Sequence, residues 1–186
     1  MEYVAVGSRG LLGVIFLMSV AGKAAGRSAW GAFVSSVRDM RVVPSALVRP
    51  TALAVVGAEG LVCVLLTVPT AGAALTGFVI ATLLLAVFST GIILALHRGV
   101  RTPCRCFGRS TTPLGIPHIA RNVVLGIIAC AGGLATSVPG IPQPGGAVVA
   151  VFAGLLVGVL VASLDDILSL LRPLKHPAAG TVRGPR

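Results

Sequence analysis

The sequence predicts an all-α fold, a polytopic membrane helical bundle with about five transmembrane helices. Three observations predict it. Of 186 residues, 55% are hydrophobic and only 11% charged, where soluble domains carry roughly a quarter charged residues; the mean hydropathy is +0.99. So few charges cannot cover the surface of a water-soluble globule. Several stretches also reach the ~20 mainly apolar residues that a spanning helix needs. Finally, 15 Lys and Arg against five Asp and Glu fall largely between those stretches, which points to lipid headgroups as the partner of the positive charge. Aromatic residues make up 4% of the chain, too few for base-stacking platforms, and nucleic acid is excluded as a partner.

The spans follow in order. Residues 4–22 carry Arg9 inside and end before Lys23; both cations can snorkel to opposite interfaces, so this segment is expected to cross. It makes a poor signal peptide, with no basic residue ahead of Arg9 and no convincing cleavage site. Residues 28–41 place Trp30, Phe33, Val34 and Val37 at i, i+3, i+4 and i+7, with Arg27, Arg38, Asp39 and Arg41 around that stripe; such a helix lies in the interface. Residues 50–68 contain one charge, Glu59, and residues 71–96 none. Residues 116–138 carry His118, Arg121 and Asn122 in their first turns and are otherwise apolar; residues 145–164 are uncharged. Residues 1–171 thus form one transmembrane domain, and 172–186 a basic tail expected to be disordered. Gly154 and Gly158 form a G-x-x-x-G in the last span, a candidate packing face.

Five spans put thirteen of the 15 Lys and Arg on one side: those between the first two spans, those at 98–109 and those in the tail. Arg9 alone lies opposite. The excess of positive charge predicts that these loops are cytoplasmic and the amino terminus outside, in a plasma or inner membrane.

One of the basic loops reads RTPCRCFGRSTTP, residues 101–113. Residues one apart have Cα atoms roughly 5.5–7 Å apart in an extended turn, and a disulfide tolerates about 4.4–6.8 Å. Cys104 and Cys106 can therefore bond, in a strained and so easily reduced ring. Arg101, Arg105 and Arg109 favour the nucleophilic thiolate, Pro103 stiffens the approach, and Gly108 permits a turn after Phe107. A pair on the cytoplasmic side is catalytic, redox-sensing or metal-binding rather than a structural disulfide. The rival chemistry is a Cys2His2 metal site of Cys104, Cys106, His97 and His118, although Cys-x-Cys is not the usual zinc spacing. Two unreactive thiols are the third alternative.

Cys63 and Cys130 lie inside spans, each about 20 Å deep at ~1.5 Å per residue. They form a second, buried couple if their helices meet; equally, cysteine is a common small hydrophobe in buried helices. Glu59, about 13 Å deep on the same count, must be protonated, paired or wetted. Arg121 is its expected partner, with Asn122 and His118 nearby, as a clamp between the spans at 50–68 and 116–138; a proton-accepting role beside the thiols is the alternative.

These residues together resemble the MauE family of methylamine utilisation membrane proteins, within the wider DoxX-like group. The resemblance runs from about Leu11 to Thr136 through GVIFLMSVAGKAAG, VVPSAL, AVVGAEGLVCVLL, PCRCFG and PHIARNVVLGIIA. Its specific part is Cys-x-Cys-Phe-Gly followed by His-x-x-Arg-Asn. It implies a membrane protein of thiol–disulfide chemistry that works with a thioredoxin-like, MauD-type partner. The client would be an exported disulfide-containing protein such as the small subunit of methylamine dehydrogenase. Carried over, Cys104 and Cys106 are the motif cysteines, and Arg105, Phe107, Gly108, Glu59, His118, Arg121 and Asn122 support them. A quinone is a candidate electron acceptor for such a bundle, although no residue identifies one. The non-enzymatic alternative is a metal-handling or assembly-scaffold protein using the same Cys-x-Cys.

Overall fold

The computed structural model describes residues 1–99, 115–138, 140 and 143–171, with side chains through Ser163. Among these residues there is no strand. The helices are α1 (Glu2–Ala24), α2 (Arg27–Asp39), α3 (Val48–Thr67), α4 (Ala71–His97), α5 (Ile116–Thr136) and α6 (Pro144–Leu171), with a short 3-10 turn, Ser45–Leu47, ahead of α3. Five of them, all except α2, are long and apolar enough to cross a membrane, the first span included. The chain is a multi-pass membrane protein.

Local chemistry sets the breaks. Gly26 at φ 142° lets the chain turn between α1 and α2, a conformation that side chains with a Cβ rarely adopt. The Thr70 hydroxyl accepts from the Ala73 amide and caps α4. Pro117 sits in the first turn of α5, where its missing N–H costs nothing.

Packing then arranges the spans. α1 touches α3, α5 and α6, while α4 touches α3 and α5. Four helices thus close a ring in the order α1–α3–α4–α5, and α3 and α5 lie diagonally across it. The core runs through Leu12, Ile15, Phe16, Val62, Phe78, Leu85 and Leu125. α1 is the most enclosed of the spans and α6 the least. That explains the weak apolar signal of α1: its Ser8, Ser19 and Lys23 face protein.

α6 runs parallel to α1 outside the ring. A Cβ on Gly154 would collide with the Gly7 carbonyl, and one on Gly158 would meet the Leu11 carbonyl oxygen at 2.8 Å. The G-x-x-x-G is therefore a packing face, because the missing side chains let the two backbones touch. α6 also continues to Leu171, past the 145–164 expected from hydropathy.

The amphipathic segment is a helix as expected. Its Phe33 and Val34 are buried against Val48 and Ala52 of α3, with Trp30 and Val37 packed beside them. Arg9 reaches the opposite end of the bundle, where its Nε donates to the Leu66 carbonyl at 3.0 Å and its Nη2 to the Val68 carbonyl. It thereby caps carbonyls that the last turn of α3 leaves unpaired.

Candidate functional site

The bundle has one end where buried polar side chains collect. The C-terminus of α1, the N-terminus of α3, the C-terminus of α4 and the N-terminus of α5 all lie there, because successive spans alternate in direction. On α1, Ser19 and Lys23 are one helical turn apart and both face inward. The Lys23 Nζ lies 2.5 Å from Oε1 of Glu59 on α3 and donates to the Ser19 hydroxyl at 2.9 Å. That hydroxyl in turn donates to the same Glu59 oxygen at 3.0 Å. Lys23 is 2% exposed and Glu59 0%.

Aromatic rings cover the cation. The Phe33 centroid, from α2, lies 4.7 Å from Nζ and the Phe88 centroid, from α4, lies 5.5 Å away. Both distances fit a cation–π contact. Four helices therefore contribute to one buried charge: α1 supplies the ammonium, α3 the carboxylate, and α2 and α4 the rings.

This corrects the expected Glu59–Arg121 clamp. Glu59 pairs with Lys23, and the clamp joins α1 to α3. The reason is topological. Arg121 is on α5, diagonal to α3, whereas α1 packs directly on it. In the sequence Lys23 reads only as a cation closing the first span. The available signal was its spacing of four from Ser19, which sets both on one helix face.

The first turns of α5 add to the layer. His118 and Asn122 are buried and Arg121 is half-buried. Among the described residues, both side-chain polar atoms of Asn122 and Oε2 of Glu59 find no hydrogen-bond partner. In a bilayer such groups are costly unless satisfied.

The thiols are placed differently. The Cys63 sulfur lies 3.9 Å from the Gly13 carbonyl oxygen, on the α1 side of α3. The Cys130 sulfur lies 3.9 Å from the Thr82 hydroxyl, on the α4 side of α5. Both are free thiols, and the ring does not bring them together. His97 is exposed at the end of α4, while His118 is buried on α5. Among the described residues no group of three or more His, Cys, Asp or Glu could hold a metal ion. Cys104, Arg105, Cys106, Phe107 and Gly108 lie outside the described residues, as does the 172–186 tail. The chain enters the segment bearing the cysteines from α4 and leaves it through α5, at the end of the bundle that holds Lys23 and Glu59.

Residues 1–136 match the family described as methylamine utilisation protein MauE. The chain belongs to the MauE family. No curated protein and no solved structure matches it significantly. The MauE match spans α1 to α5, which includes the whole four-helix ring, the Lys23–Glu59 pair and the Cys-x-Cys segment. α6 lies beyond it, docked on the outside of α1.

Proposed function

We propose that this MauE-family protein is a membrane thiol–disulfide redox protein whose working couple is Cys104 and Cys106. It exchanges electrons with a thioredoxin-like partner in the maturation of an exported, disulfide-containing client. In one cycle a thiolate of the pair attacks the partner's disulfide and forms a mixed disulfide. The second cysteine resolves it, so two electrons pass to the partner and the Cys-x-Cys leaves oxidised. The reverse sequence carries electrons the other way.

One observation supports this reading above the others: the segment carrying the pair is strung between α4 and α5, packed neighbours whose ends border the buried Lys23–Glu59 layer. Two packed helix ends beside a buried polar layer suit exchange with a docking protein better than storage of a metal. Arg105 lowers the cost of the thiolate; Glu59, His118, Arg121 and Asn122 organise the helices beneath it. The distribution of Lys and Arg supports a cytoplasmic side for this loop and an outside amino terminus.

The test is mechanism-based trapping. A Cys106→Ala variant, expressed with its native partners, should accumulate a mixed disulfide through Cys104 with a thioredoxin-fold protein, and a Cys104→Ala, Cys106→Ala variant should not. Recovery of no such adduct from either single variant, at normal protein levels, overturns the proposal.

A further inference from the structure

Beside the ion pair lies a second feature with a chemistry of its own. A cleft of about 380 Å³ opens between α2, α3 and α4, within the roughly 300–1,000 Å³ of ligand-holding pockets. Phe33 and Phe88 form its inner wall, the same rings that cover Lys23 from the other side. They keep the cleft apart from the buried charge. Its outer rim includes Leu83 and Val87, 60% and 61% exposed on the flank of α4. The cleft therefore opens sideways, toward the hydrocarbon of the bilayer.

Two arginines flank the end of the cleft nearest the interface. Met40 and Val42 line it, and Arg41 between them sits at φ 52°, a left-handed conformation that a residue with a side chain adopts only at a cost. Arg98, just past α4, donates from Nη1 to the Arg41 carbonyl. This bond brings the Arg98 guanidinium to the Arg41 backbone and leaves further donors on that guanidinium for another acceptor. The carboxylate nearest in sequence, Asp39, accepts instead from the Ser35 hydroxyl at 3.3 Å. Among the described residues neither Arg41 nor Arg98 forms an ion pair.

We propose that this cleft seats an acyl chain of an anionic phospholipid, whose phosphate is held by Arg41 and Arg98. An apolar trough open to lipid, with the Arg98 guanidinium bonded to the Arg41 backbone beside its lining, matches an amphiphile with a hydrocarbon tail and an anionic head. Guanidinium groups bind phosphate oxygens in paired, charge-assisted hydrogen bonds, and basic pockets between membrane helices take anionic headgroups. A neutral isoprenoid or quinone would use the trough but not the arginines.

The experiment uses the full chain purified into nanodiscs of equal phosphatidylglycerol and phosphatidylcholine, with retained lipid counted by native mass spectrometry after release. The expected result is one retained phosphatidylglycerol, favoured about thirtyfold, since each basic side chain contributes about fivefold near an anionic lipid surface. Arg41→Asn, which keeps the left-handed backbone accessible, and Arg98→Gln should each remove about fivefold of that preference, and Arg98→Lys should restore most of it. Gly91→Leu fills the cleft without a backbone clash, because a Cβ there meets nothing within 4 Å; it should abolish retention while the helix content by circular dichroism stays unchanged. Equal retention of both lipids, retention of a neutral lipid or quinone instead, or retention that survives Gly91→Leu overturns the proposal.

Discussion

The Lys23 ammonium and the Glu59 carboxylate meet at 2.5 Å with almost no solvent exposure, and they tie α1 to α3 at the end of the bundle that bears the Cys-x-Cys segment. A buried pair of this kind stabilises little relative to apolar residues of the same size, but breaking it leaves an uncompensated charge. Lys23→Met alone should therefore destabilise the protein by about 3–5 kcal/mol, read as a lower midpoint in detergent-induced unfolding. Lys23→Met with Glu59→Leu should recover most of that loss. A Glu59→Arg, Arg121→Glu exchange should rescue nothing, because α5 does not pack on α3; rescue would contradict the Lys23 pairing.

Arg9 should matter at the other end of the molecule. Its guanidinium accounts for two carbonyls at the C-terminus of α3, and hydrogen bonds to a charged group contribute about 1.5–3 kcal/mol. Arg9→Met is expected to destabilise the protein by an amount in that range, read as a lower unfolding midpoint. It should leave lipid retention in the α2–α3–α4 cleft unaltered, since Arg9 is at the opposite end.

The docking of α6 depends on two missing side chains. Gly154→Leu should force α6 off α1, because its Cβ would already collide with the Gly7 carbonyl and come within 3.1 Å of the Leu11 amide. Protease cleavage in the α5–α6 connection should then rise sharply, while the four-helix ring loses no more than about 1–3 kcal/mol of stability, the usual cost of overpacking. An unchanged cleavage rate would show that the backbones are not in contact there.

Cys63 and Cys130 face different neighbours, one toward Gly13 and the other toward Thr82. In a Cys104→Ser, Cys106→Ser background, a membrane-permeant oxidant should leave both as free thiols in a non-reducing mass map. Their replacement by serine should leave trapping of the thioredoxin-like partner intact. A Cys63–Cys130 disulfide formed in good yield would mean that the ring rearranges.

Sidedness is open to a direct measurement. In intact cells, before and after reduction, a membrane-impermeant maleimide should leave Cys104 and Cys106 unlabelled and should label a cysteine placed at position 3, exposed near the amino terminus. The opposite pattern would invert the orientation inferred from the basic loops.

The amino-acid sequence by itself determined the five spans, the amphipathic helix between the first two and the need for Glu59 to find a partner. Each follows from local physics: an apolar run of spanning length, a 3.6-residue stripe, the cost of a charge in hydrocarbon. Membership of the MauE family was legible in the same way, from Cys-x-Cys-Phe-Gly and the residues around it. Only the tertiary structure decided who pairs with whom. Lys23 and Arg121 enter the membrane from the same end and are both long cations, so composition and depth could not separate them; the order of helices around the ring did. The same holds for Cys63 and Cys130, equal in depth but set on diagonal helices, and for Arg41 and Arg98, far apart in the chain and joined because Met40, just past α2, packs against Ile92 and Ala95 of α4. Depth is a property of one helix, whereas contact is a property of two.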